Sequence, residues 1–458
     1  MRPIVILPHN PGFRSCIAIP PGGWEILTKW ASWVPFSAKS SACFRASLES
    51  SRLLYAASAY LRVSAVRGLC NLSHARLVLF SIVLVVLIAA PCPAQSKLVK
   101  SYADRGASSF EKGDLDSAIA DFDAVIAFNP DLPAAHYNRA NALFRKGDFD
   151  GAIRGYDEVL ALDSSFVRAY RNRAAANYCL NRLDRAEADS EQALALDPKL
   201  GAAYLILGAV SEQQGDVDKA IAYYDRCIKQ DPTLAEAYSF RGSAFKKKGD
   251  NRRAIAEYNR AIEINPRLAS AFNNRALARL SLGDVRSASA DLDTAVSLAP
   301  SNAEVYFNRG AVRLDQGDFT AAISDLNEAL LRNPDHPAAY VDRGMARAGL
   351  GDYTAAMRDY DKALELDPRS ILAYNNRGAA EQHAGKLDDA QKDFSRAIAI
   401  DPDCALAYGN RGLTFFLEGK DGEGTRDLQR CYQLDPKLRD TFEKRVKAVM
   451  AKRRATAQ

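Results

Sequence analysis

Two residue series in this chain have the types and spacing to do chemistry, and both recur every 34 residues. The first is an amide series, Asn138, Asn172, Asn274, Asn308, Asn376 and Asn410, with Asp104 and Asp342 in the same slot and Ile206 and Phe240 breaking it. Asn is a mediocre helix former, so six at one register ask for a reason. An amide offers two donors and an acceptor, which matches a peptide bond of any sequence. The same side chains would also serve to bond neighbouring helices or water. The second series comes one residue later: Arg105, Arg139, Arg173, Arg241, Arg275, Arg309, Arg343, Arg377 and Arg411. Sixteen residues further on stand Asp121, Asp189, Asp291, Asp325, Asp359, Asp393 and Asp427, with Glu257 once. Where Leu207 replaces Arg, Tyr223 replaces Asp. The two slots change together, which points to a structural Arg–carboxylate pair rather than a ligand site. Arg139 stands opposite Gly155, so pairing across repeats stays open. On this reading Arg309→Ala destabilises the chain and Asn308→Ala does not. A third stripe, Arg279, Arg313 and Arg347, either faces an acidic partner or pairs with the neighbouring Asp293 and Asp361.

Catalytic chemistry finds no footing. His9, His74, His136, His336 and His383 have no metal-ligand spacing. The stretch Gly419 to Gly424 is glycine-rich but lacks the phosphate-loop pattern. The carboxylates are accounted for by helix caps and the Arg pairs. The expectation is a chain that is no enzyme and takes no cofactor and no metal. Its net charge of +5 misleads, because residues 1–94 carry nine Lys or Arg against Glu25 and Glu49. The remainder is weakly acidic, without the basic footprint of a nucleic-acid binder.

The elements that position these series follow from punctuation. Pro130, Pro198, Pro232, Pro266, Pro300, Pro334, Pro368, Pro402 and Pro436 keep one 34-residue period, with Ser164 in the vacant slot. Gly113, Gly147, Gly215, Gly249, Gly283, Gly317, Gly351, Gly385 and Gly419 keep the same step, with Asn181 filling the gap. The Gly closes one helix in the left-handed conformation, the following Asp caps the next, and the Pro ends that one. Each period is therefore helix, tight turn, helix, turn. Small residues recur seven before the Gly (Gly208, Gly344, Gly378) and five after it (Ala220, Ala356, Ala390), and a bulky residue such as Tyr224, Tyr360 or Phe394 follows four later. That combination lets two helix backbones approach and fills the seam between them.

Together these residues resemble the tetratricopeptide-repeat family over about three-quarters of the chain. The resemblance implies an all-α, right-handed superhelical solenoid of ten tandem 34-residue repeats over residues 99–438, with first helices lining a concave groove. It also implies that the Asn slot faces that groove, where it resembles the asparagine ladder that holds extended peptides in the repeat region of O-GlcNAc transferase. One departure stands out. The family has a bulky residue four before the Gly, and here Ser109, Asn177, Ser211, Arg279, Arg313, Arg347 and Glu381 occupy that slot. After the last repeat, Phe442, Val446 and Val449 fall at helical spacing among basic residues, so 439–458 reads as an amphipathic capping helix, to about residue 452, and a tail. Cys227 and Cys431 share a slot with Ala or Val and read as small core residues.

Residues 77–90 are an apolar run preceded by Arg67 and Arg76 and followed by small residues before Gln95. This is the form of an export signal, about 14 residues long and short for a membrane span. Segment 74–94 is assigned as signal peptide or anchor, and 1–73 as an unstructured leader. A start of translation near Val66, Leu69 or Leu72 would give the signal a normal length. A signal there implies a periplasmic or secreted protein. An uncleaved run implies one anchored by 77–90 with the repeats outside the cytoplasm, and a genuine leader implies an organellar address. The function expected is a non-enzymatic scaffold that binds a protein or peptide partner in the groove, and not nucleic acid. The alternative is an assembly component acting through its ends or convex face, as an oligomer in one form.

Overall fold

The glycine and proline marks act as the sequence demands. In the computed structural model, which describes residues 93–456, all nine glycines of the series have φ between +77° and +90°, and Asn181 takes the same region at φ 56°. A side chain with a Cβ is strained there, which is why Gly or Asn holds the slot. Directly after the turn, Asp114, Asp148, Asp216, Asp250, Asp284, Asp318 and Asp352 accept a hydrogen bond from the backbone N–H three residues on. The expected leader and the apolar run 77–90 lie outside the described residues. Every regular element among the described residues is helical, and the chain is an all-α repeat solenoid. Ten hairpins run from Pro93–Lys112 with Leu115–Phe128 to Ala405–Glu418 with Asp421–Leu434, followed by Arg439–Thr456. The helix expected after the last repeat, to about residue 452, runs to Thr456. None of the described helices is long and apolar enough to cross a membrane.

Two compact units divide the chain, separated between Ala244 and Phe245 inside the helix Ala235–Lys247. In the first, Phe122, Tyr156 and Tyr224 are fully buried in the seams of their hairpins, against Ala118, Ala152 and Ala220. In the second, Leu326, Tyr360 and Phe394 do the same against Ala322, Ala356 and Ala390. The small slot is a packing requirement: a Cβ added at Gly344 would lie 2.5 Å from Cε1 of Tyr360. Cys227 and Cys431 are fully buried, and burial pushes both thiols up to about 12. They are inert core residues.

The arginine series fastens the hairpins. Arg309 shows the arrangement: Nε and Nη2 grip Asp325 at 2.9 and 2.7 Å, and Nη1 reaches back to Asp293 at 2.9 Å. Its guanidinium lies 5.8 Å from the Tyr306 ring centroid. One side chain therefore ties together its own helix, its hairpin partner and the second helix of the preceding hairpin. Arg173, Arg275, Arg343, Arg377 and Arg411 repeat the grip, reaching back to Asp157, Asn259, Asn327, Asp361 and Ser395 respectively. Arg139, which lacks an Asp opposite, turns to Asp123 at 3.0 Å and Glu158 at 2.6 Å. Leu207, the substitute for Arg, is buried, and Tyr223 stands 6.5 Å from Tyr204.

The stripe Arg279, Arg313 and Arg347 is not offered to an acidic partner, and its main contacts are not Asp293 and Asp361. It reaches twelve residues on, to Asp291 at 2.6 Å, Asp325 at 2.8 Å and Asp359 at 2.8 Å. Asp293 is only a second contact of Arg313 at 3.7 Å, and Asp361 belongs to Arg377. This explains the missing bulky residue: the slot faces the buried carboxylate, so a long cation or an amide (Asn177 to Asp189, 3.2 Å) fits there.

Glu381 is the exception. It occupies the arginine slot of its hairpin, near Asp393, and its Oε2 is buried without a partner. Burial pushes its carboxyl up to about 7, and the Asp393 charge pushes in the same direction. A carboxyl that binds its proton more tightly folded than unfolded stabilises the fold at low pH, and that stability is lost as pH rises through about 7. The melting temperature of the wild type is therefore expected to fall more than that of Glu381→Gln between pH 5 and pH 8. Parallel melting curves for the two would refute the assignment.

Candidate functional site

The Asn register sits on the first helix of each hairpin, two residues before the small packing slot. The structure buries Asn138, Asn172, Asn308, Asn376 and Asn410, at 1–7% exposure, and leaves Asn274 half-buried. Several amides point to the preceding hairpin. Asn172 Nδ2 donates to Tyr137 Oη at 3.0 Å and to Asn141 Oδ1 at 2.8 Å. Asn308 Nδ2 donates to Asn273 Oδ1 at 2.9 Å, and Asn410 Nδ2 to Asn375 Oδ1 at 3.0 Å. Three of these bonds join residues 35 apart, so the partner stands one slot earlier in the preceding repeat, and the bond from Asn172 to Asn141 spans 31. Asn141, Asn273 and Asn375 were not among the residues singled out from the sequence. Their signal was an amide 31 or 35 residues before a register Asn.

These bonds change what the register does. Asn308 is a structural residue as well as a candidate contact, contrary to the expectation that Asn308→Ala is neutral. Removing its amide leaves the Asn273 oxygen short of a donor in a buried position, at a cost of about 1–3 kcal/mol. Asn308→Ala is expected to lower the melting temperature measurably, though less than Arg309→Ala. A melting curve that overlies the wild type would restore the earlier expectation.

Around this register the buried walls are largely apolar, with Arg171 donating to Asn172 Oδ1 at 2.8 Å in the first unit. In the second unit Phe307, Val341, Met345, Ala379 and Leu413 are all buried on the same first helices. Gln382 Nε2 donates to Thr414 Oγ1 at 2.7 Å, adding a further neutral polar pair. The guanidinium groups described above are turned toward internal carboxylates. The chemistry at the register is therefore mainly that of uncharged amides, suited to hydrogen bonds with a backbone, with Asp104 and Asp342 its two charged members. No group of His, Cys, Asp or Glu among the described residues is arranged to hold a metal.

Comparison with known proteins gives the same repeat. Two tetratricopeptide-repeat models match residues 180–235, 273–325 and 307–371, and residues 371–404. A TPR-repeat model matches 106–147, 140–181 and 242–283. Together the matched stretches span more than half of the chain. No curated protein matches it. Among solved structures, the APC/C hetero-tetramer Cut9–Hcn1 is 18% identical with a TM-score of 0.52, over 65% of this chain and 59% of that one. YrrB, described as a TPR protein with an unusual peptide-binding site, is 21% identical with a TM-score of 0.34, over 43% of this chain and 97% of that one. A tetratricopeptide repeat protein from Parabacteroides merdae is 18% identical with a TM-score of 0.41, over 55% and 99%. The likeness to Cut9–Hcn1 is one of fold.

Proposed function

The chain belongs to the tetratricopeptide-repeat family, and we propose that it serves as a protein-interaction scaffold by holding extended partner segments along the face carried by its first helices. One observation carries this reading: the arginines of the series are turned toward internal carboxylates, while the register beside them is mainly neutral amides, at six of its ten positions. A ligand recognised there is recognised by its backbone, since amides match a peptide group whatever side chains flank it. The reading assigns no catalytic role and no cofactor. It places the repeats outside the cytoplasm, because the apolar run 77–90 with its basic flank and small residues has the form of an export signal. Amino-terminal sequencing of the mature protein is expected to begin at Gln95. A mature chain that begins upstream of residue 77 would overturn cleavage.

A second reading, assembly through the second helices, has Leu331 in its favour. That side chain is 75% exposed on Phe319–Arg332. Photo-crosslinkers placed at Asp315, at the exposed end of a first helix, and at Leu331 separate the two. Capture of a partner from Asp315 supports the first-helix face. Capture from Leu331 alone supports the second reading and sinks the first.

A further inference from the structure

The aromatic slot at the start of each first helix holds a histidine once, and that ring is bonded unlike a tyrosine. Two of the tyrosines in this slot close the turn before them: Tyr204 Oη donates to the Pro198 carbonyl at 3.4 Å, and Tyr238 Oη to the Pro232 carbonyl at 3.3 Å. His136 makes the same closure with Nε2, 2.6 Å from the Pro130 carbonyl oxygen. A carbonyl only accepts, so Nε2 supplies the proton of this bond. The ring also has a second nitrogen. Nδ1 stands 2.8 Å from Glu158 Oε2, and the same oxygen accepts from Arg139 Nη2 at 2.6 Å. An oxygen that accepts from a guanidinium has no proton to give, so Nδ1 donates as well. A ring that donates from both nitrogens is the imidazolium. The neutral ring makes only one of the two bonds and turns a lone pair on an oxygen at the other.

The surroundings fit that charge. His136 is 7% exposed, and Arg139 donates its other arm to Asp123 at 3.0 Å. With the imidazolium in place, two cations face two carboxylates; without its proton the group is one cation short. Of the helices packed against Pro133–Lys146, Leu115–Phe128 brings Asp123 and Phe149–Leu162 brings Glu158. Val167–Cys179 carries Arg173, which is turned to Asp157 and Asp189, and Asp131 in the turn itself is exposed. The sequence of this hairpin is adapted to the cluster. Gly155 replaces the usual Asp, and Glu158 stands where Arg226, Arg260 and Lys362 stand in other hairpins. His336 gives the contrast, since its Nδ1 accepts from the Ala339 N–H at 3.2 Å and so uses the lone pair that His136 lacks. We propose that His136 is a proton-operated latch between the first two hairpins. The imidazolium ties the turn at Pro130 to the second helix of the second hairpin, and loss of its proton releases one of the two ties. The proton belongs to the closed latch, so the junction is tight at low pH and loosens as pH rises. This device is independent of what the first-helix face binds.

The test is hydrogen exchange on the full chain at pH 5 and pH 8, expressed as protection factors so that the intrinsic pH dependence of exchange cancels. His136→Tyr restores the uncharged donor that Tyr204 and Tyr238 use. Between the two pH values, protection of Leu115–Phe128 is expected to fall about tenfold further in wild type than in His136→Tyr, the scale of one hydrogen bond to a charged group. Glu158→Gln offers an amide that can donate to the neutral ring, and it should flatten the fall in the same way. Nitrogen NMR of the imidazoles in wild type is expected to show both nitrogens of His136 protonated at pH 5 and one of them bare at pH 8. Equal falls in wild type and His136→Tyr overturn the latch, and so does a His136 ring whose protonation is the same at both pH values. If His136→Tyr already exposes Leu115–Phe128 at pH 5, the hairpin does not accept tyrosine, and Glu158→Gln decides by the same comparison.

Discussion

Asp325→Ala is expected to lower the melting temperature of the chain by more than removal of either arginine that it holds. The carboxylate is 2% exposed and accepts from Arg309 at 2.7 and 2.9 Å, with Arg313 at 2.8 Å. Deleting it leaves two guanidinium groups facing a void in a partly buried site. Breaking such a pair costs about 3–5 kcal/mol, because the charge left behind has lost both water and partner. For a unit of this size that is a fall of roughly 10 °C. Asp293 gives the internal contrast. It also binds Arg309, at 2.9 Å, but its side chain is 59% exposed. An exposed pair is worth about 0–1 kcal/mol, since water and salt replace it. Asp293→Ala should therefore melt close to wild type. Equal shifts for the two aspartates, measured by thermal denaturation in the same buffer, would show that burial does not set the rank. Replacing Asp325 together with Arg309 and Arg313 by apolar residues should recover part of the loss, because no unpaired charge then remains.

Much of this architecture was legible in the sequence because its signals are local and repeated. A left-handed glycine, an aspartate cap and a helix-ending proline each act within a few residues, so one period of 34 states them without knowledge of the fold. The Arg309–Asp325 pair was legible for a different reason: Leu207 and Tyr223 lose the cation and the anion together. What the sequence hid was direction. Arg313 lies within reach of Asp293, one of the two readings open to it, and of Asp325, which it mainly holds. Choosing between them depends on which carboxylate is buried, and spacing does not encode burial. The asparagine register misled in the same way. Its period was plain, but whether an amide faces a ligand or the preceding hairpin depends on a residue 35 positions away. At Asn410 that residue is Asn375, which takes the bond, and at Asn376 it is Val341, which cannot. The structural reading of the series therefore holds at Asn172, Asn308 and Asn410, whose amides bond the preceding hairpin.

Phe442→Ala should loosen the last hairpin and leave the earlier ones folded. Phe442 lies in the helix Arg439–Thr456 and is fully buried in a cluster with Leu406, Leu413, Phe416, Leu428 and Cys431. Its seat is prepared by Gly409, where an added Cβ would collide with the ring. The register explains the fit. Phe442 stands 34 residues after Tyr408, and Arg445 stands 34 after Arg411, so this helix continues the pattern of a first helix. Val446 departs from that pattern, since it occupies the slot that holds Gly or Ala in every hairpin. A β-branched side chain there keeps a further helix from approaching as closely as Tyr360 approaches Gly344. The helix thus packs over the last described hairpin, against Leu428 and Cys431. Removing a fully buried Phe costs about 3–5 kcal/mol in lost transfer energy and cavity. In a solenoid each repeat touches only its neighbours, so the cost falls mainly on Ala405–Glu418 and Asp421–Leu434. Hydrogen exchange of amides in those two helices is expected to accelerate strongly in Phe442→Ala, with those of Ala303–Asp315 unchanged. Gly409→Val should act the same way from the other side, by displacing the ring. Unchanged protection of Ala405–Glu418 in both variants would mean that Arg439–Thr456 packs there without stabilising the hairpin, and the helix would then have no capping role.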